Sequence, residues 1–285
     1  RRTLARRRGR VSSGEGAPPA TSGAEGEGGY PPVRHVLRDL GLWTERGEGG
    51  SRSGLAVVPE ILGPAGDVRA GVLATLVDIA GGELAVKSAH PEWIATSDLA
   101  LHRLRRVEGK VLEARPALVR RSRQTVVLEV TLADARPDPV GLATMTFAVL
   151  PAREAQRRMG VGAAPARTEF ALPGSGLDAP LALKIGARCL DEASGRFELA
   201  IGSYVVNSLG ALQGGVAALL VDLAAEAAGG AALGGRCQTS DLALNYLALA
   251  RESPMRTSAR VLRTGAAGAL VRVETRDASG RLGAL

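Results

Sequence analysis

The chain has 285 residues, enough for two domains of ordinary size, with 45% hydrophobic residues and only 3% aromatics. Alanine, valine and leucine must therefore fill the cores, and no aromatic platform for stacking bases or sugars stands out. The net charge is +7, but Arg1, Arg2, Arg6, Arg7, Arg8 and Arg10 supply all but one of those charges. The basic character thus belongs to a tail, which argues against a nucleic-acid-binding domain.

Residues 1–30 mix Arg, Gly, Ser, Pro and Glu and read as a disordered low-complexity tail. A first domain is expected over 31–150. Val33 to Leu42 reads as a short helix, Leu55 to Leu62 as a strand, and a Gly- and Pro-containing turn follows. From Ala70 to about Val86 apolar residues recur at helical spacing, with Asp78 and Glu83 the only charges, so this helix should be enclosed by the fold. Four strand-like segments come next, at about 93–105, 109–121, 124–134 and 140–150; the alternation across Thr125 to Thr131 suits a half-buried antiparallel strand. Residues 151–176 read as a linker of Pro, Gly and charge. A second domain, 177–285, repeats the order: a strand near 196–204, a helix over 214–229, then strands near 237–247, 255–264 and 268–277. The sequence stops at Leu285, before the counterpart of the 141–150 strand is complete, which reads as a truncated closing strand.

Cys189 and Cys237 have no paired spacing and read as free thiols of a reducing compartment. No apolar signal-peptide region follows the arginines. The most apolar stretch, Val216 to Leu233, contains Asp222 and Glu226, whose carboxylates oppose a membrane span. A soluble, cytoplasmic protein is expected.

The chain also repeats itself. Gly71 to Ala80 returns as Gly215 to Ala224 with seven of ten residues identical, and Thr96-Ser97-Asp98-Leu99-Ala100-Leu101 returns unchanged as Thr239 to Leu244. The offsets, 144 and 143, differ by one deletion, and a period of that length is a duplicated domain. One long apolar helix followed by antiparallel strands predicts an α+β layer in each copy, the sheet wrapping the helix. Two such copies in one chain can pair as a pseudo-symmetric dimer. Each copy places an Asp inside its apolar helix, Asp78 in one and Asp222 in the other. A lone Asp in a helix is ordinarily a hydrogen-bonded structural group; recurrence at the same place points to an active-site origin.

In the second copy Asn207 is followed, after five residues, by Gln213-Gly214-Gly215 and then by Asp222. This pattern resembles the hotdog-fold acyl-CoA thioesterases, in particular the phenylacetate-pathway and 4-hydroxybenzoyl-CoA thioesterase group. Their motif runs Asn, five residues, His-Gly-Gly, six residues, Asp, so Gln213 stands where the family has His. The first copy departs further: Gly63 replaces Asn, Arg69 replaces His and Ala70 replaces the first Gly, while Gly71 and Asp78 remain. The resemblance covers about 50–150 and 190–285. It implies two tandem hotdog domains, each with a long central helix, and sites at the interface between them. Its Ser/Thr position falls on Thr96 and Thr239, either of which could equally be a plain strand residue.

Thioester hydrolysis puts negative charge on the carbonyl oxygen and needs an activated water or a carboxylate nucleophile. A glycine in the first turn of a helix offers an unpaired N–H at the positive end of the dipole and lets the thioester come close. Gly214 suits that role, with Asn207 holding the carbonyl and Gln213 and Gly215 lining the substrate site. Asp222 lies about 12 Å further along the same helix at 1.5 Å per residue, so the carboxylate should come from the other copy. One site then combines Asn207, Gln213 and Gly214 with Asp78 and Thr96. The second combines Gly63, Arg69 and Ala70 with Asp222 and Thr239, and reads as degenerate. The predicted activity is acyl-CoA hydrolysis to a carboxylate and free coenzyme A, with no cofactor and no metal; the alternative is a non-catalytic acyl-CoA-binding or scaffold protein. Hydratase chemistry usually needs a His beside a carboxylate, and neither motif helix carries one of His35, His90 and His102. His102 reads as an edge-strand histidine. Arg105, Arg106, Arg120, Arg121 and Arg123 suit either coenzyme A phosphates or a charged strand edge.

Overall fold

The computed structural model describes residues 30–47, 50–152 and 166–285. The expected disordered tail, up to residue 29, and the linker between 153 and 165 lie outside the described residues. In chain order, a one-turn helix α1 (Val36–Asp39) leads into a hairpin of β1 (Trp43–Gly47) and β2 (Gly50–Ala56). A 3-10 turn (Pro59–Ile61) precedes α2 (Ala70–Ala89). Four strands follow: β3 (Trp93–Arg103), β4 (Val111–Arg121), β5 (Thr125–Ala133) and β6 (Gly141–Leu150). After β7 (Ala166–Glu169), the second half runs α3 (Leu181–Lys184), β8 (Arg188–Asp191), β9 (Arg196–Leu199), α4 (Gly214–Leu233), β10 (Asp241–Asn245), β11 (Met255–Gly265), β12 (Gly268–Arg276) and β13 (Leu282–Ala284).

Several expected elements differ. The chain enters the first half through the β1–β2 hairpin and not through a strand over 55–62; β2 stops at Ala56, and Pro59, which has no N–H to donate to a ladder, opens the 3-10 turn. Part of the expected linker is strand β7, which extends the first sheet by pairing Trp43 with Glu169 and Glu45 with Arg167. Its hold is side-chain as well as backbone: the Arg167 guanidinium stacks 4.1 Å above the Trp43 ring. The short helix over 33–42 contracts to the single turn α1, whose C-terminal end is closed by Gly41 at φ 62°. In the second half β9 ends at Leu199, five residues short of the expected strand, whereas the closing strand is short as expected, β13 having three residues where β6 has ten.

An eight-stranded antiparallel sheet runs β10-β3-β6-β5-β4-β2-β1-β7, and a five-stranded one runs β13-β12-β11-β9-β8. The first sheet crosses from one half of the chain to the other at β3 and β10, where Leu101 faces Leu242 and Ala100 faces Ala243. Asn245 and Leu285 exchange backbone hydrogen bonds of 2.7 and 3.0 Å, so the second sheet continues from the same edge. His102 therefore sits on a strand paired on both sides, not on an edge; it is solvent-exposed and its Nδ1 lies 2.8 Å from Asp241.

Both long helices are enclosed. Each lays one face on its own strands and the other on its partner, so apolar residues go all the way round, and Val72, Leu73, Leu76, Ala218 and Leu220 are fully buried. α4 is long and apolar enough to cross a bilayer, but two thirds of it is buried in this core. The helices cross antiparallel at two equivalent glycines. A Cβ on Gly71 would stand 2.4 Å from the Cα of Leu219, and one on Gly215 would stand 2.5 Å from the Cα of Thr75. Neither backbone can retreat without parting the helices. Gly71→Val and Gly215→Val should each cost about 1–3 kcal/mol or more in urea unfolding. Gly82→Ala, where a Cβ meets nothing within 4 Å, should instead be neutral or gain about 0.5–1 kcal/mol. Equal effects at the three positions would contradict a glycine-dependent crossing.

Candidate active site

The glycine crossing decides which groups meet. Asp78 lies on the third turn of α2 and faces the first turn of α4. Its Oδ1 accepts from the Thr96 hydroxyl at 2.8 Å, and its Oδ2 from the Gln213 side-chain amide at 2.8 Å. The Gly215 N–H also donates to this carboxylate. Gly214 leaves the room: a Cβ there would stand 2.9 Å from Oδ2 of Asp78. Gln213 is the N-cap of α4, its Oε1 accepting from the Val216 N–H at 2.8 Å while its amide reaches Asp78. The cap thereby ties the helix end of one half to the carboxylate of the other.

The first turn of a helix has N–H groups without intrahelical partners, and here they can be accounted for. Gly215 gives its N–H to Asp78 and Val216 to Gln213 Oε1, while Ala217 makes the first helical bond, to the Gln213 carbonyl. That leaves the N–H of Gly214, at the positive end of α4 and beside Asp78, without a partner among the described residues. Burial raises the Asp78 pKa to about 6, against the opposing effect of its bonds to Thr96, Gly215 and Gln213. At neutral pH it is therefore an ionised carboxylate, more basic than an exposed one.

Asn207 heads the loop that ends in Gln213, but its carbonyl oxygen is committed to its own turn, accepting from Leu209 N–H at 2.9 Å and Ala211 N–H at 3.1 Å. Only its amide NH2 group is left to donate. Tyr246 joins this site without having been singled out in the sequence. Its hydroxyl donates to the Gly214 carbonyl at 2.9 Å, and burial and the Asp78 charge hold its pKa well above the usual phenol range. Laying the repeats over one another would have found it, since Tyr246 occupies the position of Arg103. Tyr30, at the edge of the expected tail, also comes within electrostatic reach of Asp78; its pKa is raised by burial and then by that charge. It keeps 43% of its surface exposed, so the burial acts on its hydroxyl end.

The mirror site repeats the backbone and replaces the chemistry. Asp222, fully buried, accepts from the Gly71 N–H at 2.9 Å as Asp78 does from Gly215. Thr239 lies beside it and lowers its pKa, but burial outweighs this and the net shift is upward. Arg69, in the place of Gln213, does not cap its helix; it forms an ion pair with Glu226, one turn beyond Asp222. The first copy has Gly82 where the second has Glu226. Burial and the Asp222 charge push Glu226 up to about 7. Arg103 bonds Asp67 and the Val68 carbonyl, each at 2.5 Å, and Gln238 donates to the same carbonyl at 2.9 Å. Oδ1 of Asp222 and Oε1 of Glu226 are left without a partner among the described residues. Among the described residues the Ala70 N–H is as unclaimed as that of Gly214, but here ion pairs crowd the carboxylate beside it, where the Asp78 site has only neutral donors.

Among the arginines offered for phosphates, Arg105 is committed to Asp134 at 2.6 and 2.8 Å, Arg106 to the carbonyls of Ala65 and Gly66, and Arg121 to Glu92 and Ser88. Those three charges are spent within the fold. Among the described residues no cluster of His, Cys, Asp and Glu could hold a metal ion.

Residues 209–284 match the family model of the thioesterase superfamily. Over most of its length the chain is similar to solved hotdog-fold structures. The tesB protein of Mycobacterium avium subsp. paratuberculosis is 15% identical, with a TM-score of 0.59, covering 87% of this chain and 94% of that one. A Thermobifida fusca protein assigned as a thioesterase II is 14% identical, with a TM-score of 0.58, covering 88% and 96%. A hot dog fold protein of unknown function from Alicyclobacillus acidocaldarius is 14% identical, with a TM-score of 0.51, covering 88% and 96%. At these identities the likeness establishes the hotdog fold. No curated protein matches the chain.

The raised Asp78 pKa has a consequence for stability. A carboxyl whose pKa rises from 3.8 to about 6 on folding stabilises the fold fully below the lower value and loses that contribution as pH climbs through the higher one. Asp78→Asn removes the titration. Its stability relative to wild type should therefore increase between about pH 4 and pH 7 by about 2 kcal/mol, measured as urea midpoints at both pH values. A difference that does not vary with pH would show that Asp78 is not desolvated.

Proposed function

We propose that the protein is an acyl-CoA thioesterase built from two tandem hotdog domains paired as a pseudo-dimer, with one working composite site. The observation that carries this reading is the Gly214 N–H at the head of α4, unclaimed among the described residues, next to an Asp78 of the opposite half that is surrounded by neutral donors and no ion pair. In the proposed reaction the thioester oxygen accepts from Gly214 N–H, which together with the helix dipole offsets the charge that develops there. Asp78 either takes a proton from an attacking water or attacks the carbonyl itself; both routes consume the same ionised carboxylate. In the water route the C–S bond breaks, the thiolate leaves and collects the proton held by Asp78, and the products are a carboxylate and free coenzyme A. Thr96 holds the Asp78 carboxylate in orientation, and the amide of Asn207 is placed to donate to the substrate. Gln213, unlike the family's His, cannot carry a proton, so Asp78 does all the proton handling. No cofactor enters; coenzyme A is part of the substrate, and the two free cysteines fit a cytoplasmic setting.

The ion pairs that fill the Asp222 site favour a second reading only for that half, as a structural remnant or an acyl-CoA-binding scaffold. Free-thiol release from a panel of acyl-CoAs, run beside calorimetric binding, separates the two readings. Asp78→Asn should lower kcat by about 10²–10⁴-fold, whereas Asp222→Asn should leave it within about threefold, since a group remote from the reacting atoms makes no transition-state contact. Equal losses would contradict a single working site. Tight binding without thiol release would support the scaffold.

A further inference from the structure

The loop bearing Asn207 and Gln213 is gripped from the other half of the chain. His35 is fully buried and caps α1, its Nδ1 accepting the Leu37 N–H at 3.2 Å. That bond leaves the ring proton on Nε2, which lies 2.8 Å from the Val206 carbonyl, one residue before Asn207. Two further bonds run alongside: Val36 N–H to the Tyr204 carbonyl at 3.0 Å, and the Tyr204 hydroxyl to Asp39 at 2.9 Å. Val205 accepts the Gln213 N–H at 2.9 Å, so the gripped stretch also fixes the start of α4. The segment that carries His35 is itself clamped, because the Arg38 guanidinium bonds the carbonyls of Pro31, Pro32 and Phe170. Tyr30 closes over the imidazole edge-on, with ring centroids 5.3 Å apart.

The loop of the degenerate site is held differently: Gln238 of the second half donates to the carbonyls of Asp67 and Val68 at 3.2 and 2.9 Å, and no histidine stands at the α1 position. The turn Leu181–Lys184 is the repeat of Val36–Asp39, each followed by a left-handed glycine, Gly41 at φ 62° and Gly186 at φ 78°. The residue matching His35 is Pro180, which caps without a side-chain bond and has no proton to offer.

Building on the thioesterase reading, we propose that His35 is a positioning residue for the working site: its neutral Nε2–H form braces the Asn207–Gly214 loop, and a proton added at Nδ1 releases it. The added proton would face the Leu37 N–H donor to donor, with loss of the cap and with a cation in a buried pocket. The charged groups near the ring are Arg38, which opposes protonation, and Asp39, which favours it; Asp39 is shared with the Tyr204 hydroxyl and with Lys184 at 3.8 Å. Burial is the largest influence and moves the His35 pKa down, so the brace is intact at neutral pH and fails only in acid.

Two measurements test this. His35→Ala should lower kcat about tenfold with KM within about twofold, because the loop orients the carbonyl donor and does not bind the bulk of coenzyme A. His35→Gln keeps an amide donor for Val206 and should recover most of kcat. In wild type the acid limb of log kcat should drop by about one log unit beyond the slope of one that Asp78 gives, as His35 protonates and the brace is lost; in His35→Gln that extra drop should be absent. Hydrogen exchange of residues 205–213, corrected for intrinsic rates, should accelerate in acid in wild type and not in His35→Gln. The exchange arm needs no turnover, so an inactive protein would refute the hydrolase reading while still deciding the brace. Wild-type kcat in His35→Ala, or acid-accelerated exchange surviving in His35→Gln, would overturn the proposal; should His35→Ala fail to fold, the Gln variant decides.

Discussion

The antiparallel crossing of the two core helices governs the rest of the structure. Gly71 against Leu219 and Gly215 against Thr75 bring the backbones close enough for each helix to end its first turn beside the other's aspartate. A carboxylate at mid-helix cannot reach the head of its own helix, so only this crossing lets a negative charge sit at a positive helix terminus in the core. The sheets serve that arrangement. β3 and β10 join across the centre, and each half then folds its strands around the outer face of its own helix.

Within this shared backbone the two ends have taken opposite electrostatic courses. At Asp78 every donor around the carboxylate is neutral: a hydroxyl, an amide and a backbone N–H. At Asp222 two arginines, a second acid and a further aspartate crowd the same volume. Exchanging Gln213 for Arg69 and Gly82 for Glu226 places complementary charges at the head of α2. Breaking one partner of a buried pair strands the other, which keeps such a pair in place once formed.

Burial of Asp78 is unfavourable to the folded state at neutral pH, and the same loss of solvent raises the basicity of the carboxylate. The bonds from Thr96, Gln213 and Gly215 limit the rise and fix the orientation. Farther out, His35 and Tyr204 join the first half to the loop of the second, so the site is held at its base by the glycine crossing and at its rim by α1.

The repeat, the two helices, the α+β class and the recurring aspartates could all be read from the sequence, because apolar periodicity and identical segments are local signals. Most strands after α2 were legible for the same reason, from alternation. Short elements were not: β1, β7 and β8 are strands only because a neighbour pairs with them, and Arg167 stacked on Trp43 has no local signature. That each aspartate meets the other helix's terminus was expected from the repeated motif; that Gln213 bonds Asp78, that Arg69 bonds Glu226, and that Tyr246 and His35 belong near the site were decided by the tertiary structure alone. Those contacts join residues far apart in the chain, and only the packing of the two halves sets the distances between them.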